Sequence, residues 1–280
     1  MRRLRDYSLC LCLLLLWPLA VNADDSWRQI QTEARGQTVW FNAWGGDPAV
    51  NRYLAWVSEE VKRYYAIDLR IVPVADAADA VKRIQTEAQA GRRQGGSVDL
   101  LWINGENFRT LKQANLLLTG WAESLPNWRY VDLQKPVRED FSVATEGAES
   151  PWGSAQLTFN PLHARQKAAS GELPTDSYSF GFTAGTLGNV HFVTIPANAR
   201  AVAGAKVVAN FLLSPEAQLR KADAAVWGDP SVLDPQRLPD GQRQALAAAL
   251  PQDLPPVLAE PHAAWVDALE QEWLRRYGTH

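Results

Sequence analysis

Between residues 38 and 116 the apolar pattern changes from a strand period to a helix period three times in succession, and few architectures accept that. Residues 38–44 are β-branched and aromatic and end at Gly45-Gly46. Asp47-Pro48 follows as an N-cap with proline at the first helical position, then Tyr53, Leu54, Val57, Val61 and Tyr64 recur at helical spacing. Residues 68–74 read as a second strand and 77–90 as a second helix, with Ala80, Val81, Ile84 and Ala88 on one face. Residues 98–103 form a near-continuous apolar strand, suited to a parallel strand covered on both faces. Asn104-Gly105 turns the chain into a third helix carrying Phe108, Leu111 and Leu116. The pattern predicts an α/β domain with a parallel-rich sheet.

Beyond it the pattern loosens. Residues 121–150, with Pro126, Asn127, Pro136 and mixed charges, read mostly as connection. Strands are expected over 152–159 and 192–196, and one helix over 161–170. An amphipathic helix follows over 201–213, and another capped by Ser214-Pro215. Two more helices are expected after Asp240, with Trp265, Leu269, Trp273 and Tyr277 on one face of the last.

The start of the chain carries an address. Arg2, Arg3 and Arg5 precede an apolar run holding Cys10 and Cys12, and Val21-Asn22-Ala23 offers small residues for cleavage: a secretory signal over 1–23. The apolar run is shorter than the about 20 residues a membrane span needs, and both cysteines precede the cleavage point, against a lipoprotein. A cleaved, periplasmic protein that does not span the membrane is expected. Its mature part is free of cysteine and more acidic than the net −3 of the whole chain, because the signal carries three arginines and one aspartate. That balance argues against nucleic acid as a partner.

Several segments together resemble a type II periplasmic solute-binding protein of an ABC importer. They are Trp44-Gly45-Gly46-Asp47-Pro48, the strand through Trp102-Ile103-Asn104-Gly105-Glu106-Asn107, and Pro151-Trp152-Gly153. The most specific are Phe192-Val193-Thr194-Ile195-Pro196-Ala197-Asn198-Ala199 and Asn210-Phe211-Leu212-Leu213-Ser214-Pro215-Glu216-Ala217-Gln218, which look like the strand and helix by which such a chain re-enters its first lobe. Within the family the chain is similar to the YnjB-type receptors, relatives of the thiamine- and iron-type receptors. The resemblance covers about residues 30–159 and 175–280. It implies a first lobe from 24–158 plus 192–238 and C-terminal helices over 239–280. It also implies a second lobe, for which only residues 159–191 remain. A single βαβ unit takes about 30 residues, so this is a remnant and implies an internal deletion with its junction near Phe159-Asn160.

Such a receptor holds a small solute in a cleft between its lobes and hands it to an inner-membrane permease driven by an ATPase. Ligands of open α/β sheets sit beyond the carboxyl ends of the strands. The expected ligand contacts are therefore Trp44, Gly45, Gly46 and Asp47 on one loop and Asn104, Gly105, Glu106 and Asn107 on another. Trp152 is expected near the crossing, with Thr186 and Asn189 on what remains of the far side. Aromatic faces beside carboxylates suit a cationic or aromatic, thiamine-like solute. Each residue has a plainer reading. Asp47 is an N-cap, Glu106 a first-turn helix acid, the glycines turn formers, and each tryptophan core, as most of twelve must be.

No enzyme motif such as H-E-x-x-H or G-x-S-x-G occurs, the four histidines show no metal-ligand spacing, and no cofactor is implied. A non-enzymatic receptor with impaired binding is the leading expectation. A remnant that only touches partners, or a periplasmic enzyme, stands as the alternative.

Overall fold

The computed structural model describes residues 23–156, 167–178, 182–249 and 256–278. The proposed signal, residues 157–159 of the strand expected over 152–159, and most of the helix expected over 161–170 fall outside them; residues 167–170 are helical.

The alternating region folds as its periods require. Strands β1 (Thr38–Trp44), β2 (Asp68–Val74) and β3 (Leu100–Ile103) lie parallel, each followed by a helix: α2 (Pro48–Tyr65), α3 (Ala77–Gln89) and α4 (Gly105–Gln113). Ahead of them α1 (Ala23–Ala34), which the sequence pattern did not disclose, runs through the position expected for signal cleavage and packs on the later helix α5 (Val202–Leu212). Strand β7 (Thr186–Thr194) runs antiparallel to β3, and β6 (Glu149–Gln156) antiparallel to β7. The order is β2-β1-β3-β7-β6, with the short β8 (Val257–Leu258) beside the start of β7. The sheet is mixed, three parallel strands joined to an antiparallel pair.

Both faces are covered. Val39, Phe41 and Leu100 pack with α2 and α5 on one side, while Leu101 and Ile103 meet α3 and α4 through Ile84, Phe108 and Leu111 on the other. Helix α6 (Pro215–Ala222) is capped by Ser214 Oγ, which accepts from Ala217 N at 3.1 Å. Asp99, fully buried, fastens the re-entry point. Its carboxylate accepts from Trp40 N at 2.9 Å and from Arg200 N and Ala201 N at 2.8 Å, tying β1 to the entry of α5.

The segment read as connection holds two 3-10 turns and a small antiparallel pair, β4 (Glu139–Asp140) and β5 (Val143–Ala144). Strand β7 begins six residues before the expected 192, so Thr186 and Asn189 lie on a strand of the main sheet. Helices α7 (Asp240–Ala249) and α8 (Val266–Tyr277) complete the chain. Among the described residues no helix is long and apolar enough to cross a membrane.

Candidate functional site

Where β1, β2 and β3 end, the following loops enclose an open cleft of about 370 Å³. Trp44, nearly half exposed, stands at the end of β1; Ala75, Asp76 and Ala77 come from the turn after β2. Trp102, Ile103, Asn104, Glu106 and Asn107 come from the end of β3 and the first turn of α4, and Phe141 closes one side from the β4–β5 turn. Trp44 and Trp102 meet edge to face, ring centres 6.4 Å apart. Among the described residues the lining holds two carboxylates, Asp76 and Glu106, and no lysine, arginine or histidine.

The expected site residues divide by role. Trp44, Asn104, Glu106 and Asn107 line the cleft. Gly45 and Gly46 shape its wall: a Cβ on Gly46 would lie 2.4 Å from the Trp44 ring, so glycine there leaves room for the indole, and one on Gly45 would lie 2.6 Å from Pro73 Cβ, so glycine there lets the loop pass close to the end of β2. Asp47 caps α2, its carboxylate accepting from Ala49 N at 2.6 Å. Gly105 is buried at φ +61°, and its N–H donates to both oxygens of Asp140 at 3.0 and 2.9 Å. Asn104 does not cap α4. Its Nδ2 donates to Val190 O at 2.7 Å and so stitches the cleft loop to β7.

Three residues stand apart from the cleft lining. Trp152 is fully buried behind Trp102, their ring centres 4.9 Å apart, and belongs to the core. Thr186 is buried beside Pro256, whose carbonyl accepts its N–H at 2.9 Å, and Asn189 pairs with Ala155 within the sheet. Sequence reasoning missed Asp76, Trp102 and Phe141. The first two carried a usable signal, since an N-cap aspartate after β2 and the penultimate residue of β3 obey the same strand-end rule. Phe141, in a two-strand turn at φ +45°, carried none.

Behind the cleft floor lies a set of acids. Burial pushes Asp140 up to about 8 against the opposing pull of the Gly105 N–H, with Glu260 and Glu106 adding repulsion. Glu149, whose oxygens find no hydrogen-bond partner among the described residues, is raised well above its usual value by burial and by Asp140, Lys112 acting the other way. Burial likewise raises Glu260 to about 7. These folded values exceed the unfolded ones, so the folded state holds extra protons between about pH 4 and 8. Their contribution to stability is full below that window and is lost as pH rises through it. The melting temperature is expected to fall from pH 5 to pH 9. In Asp140→Asn, which keeps an acceptor for Gly105, the fall should be shallower but present, because Glu149 and Glu260 remain. A calorimetric pH series checks this, and a rising profile would contradict it.

The mixed sheet, with a strand returning antiparallel beside β3, is the architecture of periplasmic solute-binding proteins. A spermidine/putrescine ABC transporter protein of Listeria monocytogenes superposes with a TM-score of 0.57 at 13% identity, over 85% of this chain and 98% of that one. An extracellular solute-binding protein of Bordetella parapertussis gives 0.58 at 12%, over 86% and 98%. The spermidine/putrescine substrate-binding protein PotD of Streptococcus pneumoniae gives 0.57 at 10%, over 85% and 98%. At such identities the likeness defines the fold. No family model matches the sequence. Among curated proteins, the protein YnjB of Escherichia coli strain K12 is 54% identical over 389 aligned positions, covering 99% of this chain and all of that protein. The chain belongs to the YnjB family.

Proposed function

We propose that this chain is an extracytoplasmic solute-binding receptor of an ABC import system, exported by the signal over residues 1–23, and that its solute is an organic cation. The observation that carries the reading is the cleft at the carboxyl ends of three parallel strands. It has two indole rings, Trp44 and Trp102, and two carboxylates, Asp76 and Glu106, with no basic side chain among the described residues of its lining. Indole faces attract ammonium and thiazolium groups, and uncompensated carboxylates supply the counter-charge. The names of two structural neighbours, which specify spermidine/putrescine transport, agree with a cationic solute. The thiamine-like solute expected from the sequence falls in the same chemical class.

Capture is weak in this reading. Working pockets bury about 70–90% of their ligand, whereas this cleft is walled by one lobe. We attribute that to an internal deletion, and the match to the Escherichia coli relative, which extends over 389 positions against 280 residues here, supports the reading. Thermal unfolding of the periplasmic protein with millimolar thiamine, spermidine, putrescine, ferric ion and phosphate tests the proposal. A native-state ligand raises the melting temperature by mass action. The organic cations are expected to raise it by a few degrees only at ligand concentrations of about 1 mM or more. A shift with phosphate alone would overturn the cationic reading. A micromolar or tighter dissociation constant would overturn the impairment, and no shift with anything would favour a ligand-blind remnant.

A further inference from the structure

Helix α8 has no buried residue along its length of 12 residues. Trp265, at its N-cap, and Leu269, Trp273, Leu274 and Tyr277 are each more than half exposed, and the Trp273 and Tyr277 rings touch, centres 4.6 Å apart. Leu269, Trp273 and Leu274, with Glu270, line an apolar hollow of about 460 Å³ along this face. A helix this short is marginal in water unless its apolar face is packed, so the face calls for a partner.

The pattern on the face says which partner. Trp265, Leu269, Trp273 and Tyr277 recur every fourth residue and read nearly the same in both directions about position 271: aromatic, leucine, tryptophan, aromatic. Two such helices laid antiparallel bring Leu269 of each opposite Trp273 of the other and Trp265 opposite Tyr277. That is the self-complementarity a two-fold contact requires. Charge agrees with the direction. Asp267 and Glu270 lie in the first half and Arg275 and Arg276 in the last turn, while Glu272 is already held by Arg275 and Arg276 of its own helix. Laid antiparallel about position 271, Asp267 of each helix meets Arg275 of the other and the helix dipoles oppose, while Glu270 meets Glu272, whose charge Arg275 and Arg276 of its own helix offset; a parallel pair sets like against like.

We propose that the α8 face is a self-association surface through which two copies of this chain pair antiparallel. A helix of 12 residues is about 18 Å long, and a contact of that length is smaller than a standard protein interface. The pair is therefore transient, with a dissociation constant of tens to hundreds of micromolar rather than nanomolar.

Sedimentation velocity of the protein purified from the periplasm, from about 1 to about 500 µM, reads this directly. The mean mass is expected to climb from monomer towards dimer across that range. Leu269→Glu combined with Trp273→Glu is expected to hold it at monomer, with far-ultraviolet dichroism and melting temperature at about 1 µM the same as those of the wild type, which is itself monomeric there, since neither side chain is buried. Orientation is read by single cysteines under mild oxidation. In the antiparallel pair the two copies of residue 272 lie about 3 Å apart along the axis and those of residue 266 about 15 Å apart. Glu272→Cys should therefore cross-link and Val266→Cys should not. A wild type monomeric throughout, a dimer that persists in the double variant, or ready cross-linking of Val266→Cys would each overturn the proposal.

Discussion

Asp229→Ala is expected to cost about 3–5 kcal/mol of unfolding free energy, because it strands a buried ammonium. Lys221 is fully buried, and its Nζ lies 2.5 Å from Asp229 Oδ2 and 3.0 Å from Pro230 O. His191 stands on the same carboxylate, Nδ1 3.5 Å from Oδ2, and stacks on Trp227. Burial alone would raise the Asp229 carboxyl, but Lys221 and His191 outweigh it and hold it below its usual value. The pair also dictates Gly153, whose Cβ would lie 2.4 Å from Asp229 Oδ2 and 2.5 Å from Lys221 Nζ. Replacing both partners, Lys221→Met with Asp229→Leu, is expected to cost much less than the single change, since no charge is then stranded. Urea unfolding of Lys221→Met, Asp229→Leu and the variant carrying both changes measures the coupling. Additive losses would show that the two groups do not act as a pair.

Trp152→Ala should be of similar size, about 3–5 kcal/mol, for a different reason. Trp152 is wholly buried among Tyr53, Trp102 and Trp227, with ring centres 6.3, 4.9 and 5.5 Å away, and against Phe41 at 6.5 Å. Removing the indole empties the middle of that cluster, and the rings around it belong to β1, α2, β3 and the segment after α6, which cannot all collapse inward. The loss should appear as reduced stability in unfolding titrations. In the surviving folded fraction, affinity for a cationic solute should change less than in Trp44→Ala. A stable Trp152→Ala protein with abolished binding would return Trp152 to the cleft and contradict its placement in the core.

The part of the fold legible in the sequence was the part dictated by local period. Residues 38–113 announced their strands and helices because each apolar face repeats within its own element, and Asp47-Pro48 and Ser214-Pro215 marked helix starts by cap chemistry. Helix α1 was not legible: it abuts the apolar signal run, and its contacts with α5 are made with residues about 170 positions away. The early start of β7 was hidden by Gly185, just ahead of it, and by Gly188, which reads as loop until Gln156 of β6 is there to pair with it. The cleft was half legible for the same reason. A strand-end rule finds Trp44, Asn104, Glu106 and Asn107, but whether a tryptophan faces solvent or core depends on tertiary neighbours. That is why Trp102 was overlooked and Trp152 was expected in the cleft.

The central claim, a cleft that selects organic cations through Asp76 and Glu106, is tested most directly by titrating spermidine and thiamine into the wild type and into Asp76→Asn combined with Glu106→Gln, following tryptophan emission. Asparagine retains the cap on α3, so the variant should fold as the wild type does. The account predicts weak, saturable quenching in the wild type and affinity lower by roughly 10-fold or more in the variant, about 1.4 kcal/mol per decade. Equal affinity in the two proteins would contradict it.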